Sequence, residues 1–243
     1  MDKLPLTIGI LSWGARATLL NTLESYKEAG LLDLAAQVFV FFQEISQDDI
    51  DIANEYGLEY TGVNTNIGIA EGYKAMLLNI TQPNYLFLEN DWMIDRNNHS
   101  PRFVADQIVD GKLFLNAPIH HPDRADVVRY RSRNLPGNPL WTRQFENHEL
   151  WRPEHLLDAI HWRSDRQMEE FRDKIQVGAY GFYHTTSQYA NWTNNPHMVR
   201  TEWIRGLADK FGSGDIERDF QGWWEQQEFR VAQGEGLFTH WRL

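Results

Sequence analysis

YLFLEND, Tyr85 to Asp91, is the stretch from which the rest of the fold can be read. Its four leading apolar residues, just after Pro83, make a run too short for a helix. They show no polar alternation, which marks a strand buried on both faces. The strand delivers Glu89 and Asp91, two residues apart, at its carboxyl end, so both carboxylates can be aimed at one spot. A divalent cation bridging a diphosphate needs few protein oxygens, because phosphate and water complete its octahedron. Two solvated acids at a strand terminus are the plainer reading of the same residues.

Upstream, strand and helix signals alternate. Thr7 to Trp13 (TIGILSW) is a short apolar run, and Ala15 to Leu32 follows with Leu19, Leu20, Leu23 and Tyr26 at helical spacing and Gly30 near its end. Gln37 to Gln43 reads as a strand, Asp48 to Tyr56 as a helix closed by Gly57, and Leu58 to Val63 as another strand. Ile69, Ala70, Tyr73, Met76, Leu77 and Ile80 then form one apolar stripe of a third helix. Such alternation predicts a single α/β domain, a mostly parallel central sheet flanked by helices, with ligand at the carboxyl ends of the strands. Those ends carry Ser12 and Trp13, Gln43 and Glu44, Asn64 to Gly68, and Glu89 to Asp91.

Downstream the pattern predicts a helix over Ser100 to Asp110 and strands over Lys112 to Ala117 and Val127 to Arg131. Residues 134–174, rich in charge, Trp and Pro, read as mixed helix and loop, and Gln176 to Tyr183 returns to the sheet. Ile216, Phe220, Trp223, Trp224 and Val231 suit a helix opened by Ser213, Gly214 and Asp215, and Leu237 to Trp241 a terminal strand. No repeat or linker divides residues 1–243, expected as one domain with a nucleotide-binding half, 1–95, and an acceptor-binding half, 96–243.

Composition narrows the function. The absence of cysteine excludes disulfides and thiolate chemistry, leaving carboxylate, imidazole or water for any metal. A net charge of −11 without a Lys/Arg block argues against nucleic acid and anionic lipid. No transmembrane stretch and no export signal is legible, so the expectation is a soluble, cytoplasmic protein. Ten Trp suit either core filling or stacking on sugar rings and bases.

The opening TIGILSW strand, VFVFFQ, the string NTNIGIAEGY and LFLEND in the place of an Asp-X-Asp motif together resemble the GT-A glycosyltransferases, especially family 2-like enzymes. Tyr189 to Ile204 (YANWTNNPHMVRTEWI), GDIERDFQGWW and VAQGEGLFTHWR extend the resemblance to the acceptor half of small GT-A transferases, including those of large algal viruses. It covers nearly the whole chain except 134–174. The resemblance implies a hexosyl- or pentosyltransferase that takes a UDP- or GDP-sugar donor to a glycan or other hydroxyl acceptor, with Mn²⁺ or Mg²⁺ and with inversion. It places Ser12, Trp13, Gln43, Glu44, Asn66, Gly68, Glu89, Asn90 and Asp91 on the nucleotide sugar and Asp91 on the metal, with Glu89, a departure from the motif, as a second metal candidate. It makes His240 a late metal ligand, which favours Mn²⁺. It assigns the catalytic base to Glu217, with Asp219 and Asp215 as alternatives one misread turn away.

Other readings of these residues stand beside those. Asn66 before a helix is as well placed to cap it as to touch phosphate or ribose. Arg200 and Arg242 are candidate diphosphate partners, and Trp192, Asn194 and Asn195 candidate contacts to sugar or acceptor, although a polar turn before Pro196 accounts for them too. A sugar-phosphate nucleotidyltransferase would need a Gly-rich basic loop where this chain has SWGARAT, and a non-catalytic carbohydrate-binding protein would not need its acidic strings.

Overall fold

A computed structural model describes residues 2–95, 100–132 and 172–240. Most of the irregular stretch 134–174, together with Trp241 and Arg242, lies outside the described residues.

The elements run β1 (Leu4–Trp13), α1 (Arg16–Glu28), α2 (Leu31–Leu34), β2 (Ala35–Gln43), α3 (Gln47–Glu55), β3 (Glu59–Val63), α4 (Gly68–Leu77), β4 (Asn84–Glu89), β5 (Trp92–Ile94) and α5 (Pro101–Asn116). After them come β6 (Val127–Arg131), β7 (Gln176–Val177), β8 (Tyr183–Thr186), β9 (His197–Arg200), α6 (Thr201–Arg205), α7 (Ile216–Trp224) and β10 (Arg230–His240). All the strands share one sheet in the order β3-β2-β1-β4-β9-β6-β10-β8-β7, with β5 paired to β10.

The first four strands are parallel, as alternating strand and helix require. The carboxyl-terminal half makes the sheet mixed: β9 runs antiparallel to both β4 and β6, while β10 is parallel to β6. Strands β1 to β4, β6 and β10 therefore all end on one rim, and β9 begins there.

Period-two burial explains the continuous apolar strands. In β1, Leu6, Ile8 and Ile10 join the core under α1 and α5, whereas Leu11 faces the layer under α4 and α7. In β4, Leu86 and Leu88 take the first face, Tyr85 and Phe87 the second, each side chain contributing roughly 1.5–3 kcal/mol.

Several boundaries depart from the sequence reading: Ala15 to Leu32 divides at Gly30 into α1 and α2, and the stretch read as one return to the sheet over Gln176 to Tyr183 turns at Ala179–Gly181 between β7 and β8. Lys112 to Ala117 is not a strand: α5 continues to Asn116. Val104, Ile108, Gly111 and Leu115 keep helical spacing on its buried face and Leu113 points to solvent, and Pro118 comes only after the helix has ended. Val231 belongs to β10, which begins at Arg230, and α7 stops at Trp224. Among the described residues no helix is long and apolar enough to cross a membrane.

Candidate functional site

Asp91 sits in the turn after β4. Asn90 N–H donates to the Leu11 carbonyl (3.0 Å), and α1 holds the segment from below. The Thr22 hydroxyl donates to the Asn90 carbonyl (2.9 Å), the Tyr26 phenol to the Trp92 carbonyl, and Ser25 Oγ accepts Ile94 N–H (3.1 Å). The Asp91 charge is felt below: the Tyr26 phenol is pushed well above its ordinary value, first by burial and then by that carboxylate.

β10 returns antiparallel along β5, with His240 opposite Trp92. This brings His240 Nε2 to 2.7 Å from Asp91 Oδ2, while its ring lies 4.8 Å from the Trp92 indole. Residues from far ends of the chain thus form one carboxylate–imidazole pair. Among the described residues no three acidic or imidazole side chains are grouped so as to hold a metal ion, so Glu89, on the same rim, does not complete such a set with them. A carboxylate and an imidazole placed so would suit a Mn²⁺-like cation, which takes both oxygen and imidazole donors. Arg131, at the end of β6, stacks over Trp92 at 5.3 Å. Sequence reading passed over it, although a cation at the carboxyl end of a strand is the available signal. The Asn90 side-chain amide is buried with no hydrogen-bond partner among the described residues, a donor facing no acceptor beside Asp91.

At the neighbouring strand ends, Trp13 is 55% exposed and its indole N–H donates to Glu44 Oε2 (2.9 Å), joining the loops after β1 and β2. Gly14, Ala15 and Glu44 all adopt left-handed backbone. For the two non-glycine residues this costs about 1 kcal/mol each, strain of the sort that collects at functional rims. Ser12, by contrast, is 2% exposed within the sheet.

Gln43 Oε1 accepts Ile67 N–H (2.8 Å), and Asn66 Oδ1 accepts Gly68 N–H (2.8 Å). These two amides at the start of α4 are therefore satisfied by side chains. Asn66 thus takes an amide at the helix entry, although Ile67 is the N-cap residue, and neither of these two amides points at an open site.

The acidic string from Asp215 to Asp219 resolves into separate tasks. Asp215 is the N-cap of α7, accepting from Glu217 N–H (3.1 Å) and Arg218 N–H (3.4 Å). Asp219 pairs with Arg218 at 3.1 Å on the surface, an interaction worth little. Glu217 Oε1 accepts the backbone N–H of Asn194 at 2.7 Å, which puts a carboxylate against the Asn194–Asn195 turn just before β9. Trp192 Nε1, Thr193 Oγ1 and Asn194 Oδ1, three consecutive residues of that turn, are buried without hydrogen-bond partners among the described residues.

Arg200 does not reach this rim. It lies opposite Asn84, at the far end of β4, donating to the Leu115 and Ala125 carbonyls and paired with Asp126. Those bonds tie α5 to the sheet, a half-buried structural role at the end of the sheet away from the rim.

No described protein family and no curated protein matches the sequence. Solved structures do match. Mycobacterium tuberculosis glucosyl-3-phosphoglycerate synthase, in complex with Mn²⁺, UDP and glucosyl-3-phosphoglycerate, superposes with a TM-score of 0.52 at 16% identity over 98% of this chain and 72% of that one. S. aureus TarS, residues 1–349, gives 0.56 at 12% identity over 98% of this chain and 60% of the other. The fold is that of the GT-A glycosyltransferases. This chain spans less than two thirds of that TarS structure, and at such identities the likeness is one of fold.

Proposed function

We propose that the protein is a metal-dependent glycosyltransferase that moves a sugar from a nucleoside-diphosphate sugar to an acceptor hydroxyl with inversion. The observation that carries this reading is the Asp91–His240 contact at the carboxyl end of β4. It supplies a carboxylate and an imidazole at the carboxyl end of a strand, and the M. tuberculosis synthase, which has a similar fold, has been crystallised with Mn²⁺ and UDP.

In this mechanism Asp91 and His240 would hold the cation, Mn²⁺ in preference to Mg²⁺. When bound, the cation offsets the charge of the departing nucleoside diphosphate. The exposed Trp13 and the Gln43–Glu44 turn bind the base and ribose, and the unpartnered Asn90 amide donates to the diphosphate. Glu217 takes the proton from the acceptor hydroxyl as that oxygen bonds to the anomeric carbon and the bond to the diphosphate breaks. The orphaned polar atoms of Trp192 to Asn194 and the nearby Asn195 line the acceptor side. The kinship with small transferases of large algal viruses belongs to the same proposal and rests on the strings at 189–204, 214–224 and 231–242.

The test is release of nucleoside diphosphate from UDP- and GDP-sugars with Mn²⁺ and a panel of hydroxyl acceptors, followed by assignment of the product anomer. Acceptor-dependent release that falls by at least about 100-fold in Glu217→Gln supports the reading. A product of retained configuration contradicts the single displacement, and full activity in Glu217→Gln contradicts the choice of base.

A further inference from the structure

His197 is 2% exposed, in a layer of aromatic side chains, and the sequence reading gave it no task. Its ring stacks on Tyr73, 6.0 Å away and 10° from parallel, with Phe87 at 5.3 Å and Trp192 at 5.1 Å. Both ring nitrogens are used. His197 Nδ1 is 2.8 Å from the Asn195 carbonyl, which can only accept, so Nδ1 carries the proton. Nε2 is then an acceptor, and the Tyr73 hydroxyl, 2.9 Å away, donates to it. Burial lowers the imidazole's pKa to about 4, which keeps this tautomer neutral at ordinary pH.

The Asn195 carbonyl belongs to the same turn whose Asn194 N–H donates to Glu217. A single hydrogen-bonded chain therefore runs from Tyr73 on α4, through His197 and the Asn194–Asn195 turn, to the carboxylate on α7. α4 is also the helix whose amino-terminal end is fastened to the rim by Gln43 and Asn66. Lys74, next to Tyr73, donates to the Gly212 carbonyl ahead of α7.

We infer that His197, oriented by Tyr73, is a positioning residue that sets the Asn194–Asn195 turn and through it the place of the Glu217 carboxylate at the acceptor side. The inference rests on the proposed function for its catalytic consequence, and on geometry alone for the link itself. A neutral imidazole is suited to the task because one nitrogen donates to the turn while the other accepts from a fixed hydroxyl. The ends of the turn are held separately: the Gln221 side-chain oxygen accepts Trp192 N–H at 2.8 Å, and the Pro196 carbonyl accepts Tyr130 N–H at 2.9 Å.

The experiment compares wild type with His197→Leu, His197→Asn, Tyr73→Phe and Phe114→Leu, the last a buried change distant from the turn. Backbone amide hydrogen exchange at Asn194 is read by NMR, and kcat and KM are measured with the donor and acceptor found active. His197→Asn keeps a donor near the Nδ1 position and should retain Asn194 protection and most of kcat. His197→Leu should lose that protection selectively and lower kcat by up to about 100-fold with donor KM little changed, as expected when a reacting group shifts by an ångström. Tyr73→Phe removes one hydroxyl without a change of shape, and should give a smaller loss of both even if His197→Leu folds poorly. Unchanged Asn194 protection in both His197→Leu and Tyr73→Phe overturns the inference, as does a kcat loss matched by Phe114→Leu at equal loss of stability. If protection is lost as expected while Glu217→Gln remains fully active, the link stands and the assignment of Glu217 as base fails.

Discussion

At the scale of single residues, His197 has a thermodynamic signature independent of any ligand. Its folded-state pKa of about 4 lies below the ordinary 6.5, so the unfolded chain takes up the proton first. Its contribution is intact above pH 6.5 and is lost as pH falls through that window, levelling off below pH 4 at roughly 3 kcal/mol. Urea melts are expected to show wild type losing about 2 kcal/mol more than His197→Asn between pH 7.5 and pH 5. His184, its pKa also lowered chiefly by burial, titrates with the same sign in both proteins and cancels in that comparison. Asp215→Ala should cost about 1 kcal/mol through loss of the α7 cap, measured by the same melts. At this scale the sequence was partly legible. The places of Asp91 at a strand end and of Glu217 at a helix start were legible in the sequence, whereas the roles proposed for them came from family resemblance. His240 emerged only through family resemblance, since no spacing links it to a carboxylate so far away in the chain. A lone His in NNPHMV carries no periodicity, and although Asn195 is two residues away, its other partner Tyr73 meets it only through long-range packing of α4 on the sheet where β9 pairs with β4.

At the scale of elements, the alternation of strand and helix in the first half was readable because each strand is buried on both faces and each helix carries one stripe. Two stretches misled for local reasons. Leu113-Phe114-Leu115 has the apolar density of a strand, but only Phe114 and Leu115 face the core, which a helix allows. In β10, Gly234-Glu235-Gly236 interrupts the apolar run and hides a continuous strand. There Gln233 faces Arg129 while Phe238 faces Arg131, so the intervening residues bulge out of register. Gly236 has φ +88°, and an added Cβ would run into the Arg131 carbonyl. Gly236→Ala is expected to destabilise by roughly 2–4 kcal/mol, since both backbone strain and overlap with main chain act together. Because the bulge sets which residue of β10 meets Trp92, the same variant should also weaken metal-dependent nucleotide binding. Wild-type binding in a folded Gly236→Ala protein would show that the register of His240 does not depend on the bulge.

At the scale of the whole molecule, one topological fact organises the site. Strands from both halves of the chain end on a single rim, and β10, the last of them, closes back on the turn after β4. The direction of β1 to β4 could be read from crossover connections, whereas the antiparallel insertion of β9 and the return of β10 depend on long-range pairing that leaves no local pattern. The central claim is that Asp91 and His240 together bind a divalent cation that holds a nucleoside diphosphate. Calorimetric titration of UDP, GDP and their sugars, each with Mn²⁺ and with EDTA, into wild type, Asp91→Ala and His240→Ala tests it most directly. Binding of one nucleotide class that requires Mn²⁺ and is lost in both folded variants is the expected result; equal binding in EDTA, or in either variant, would contradict it.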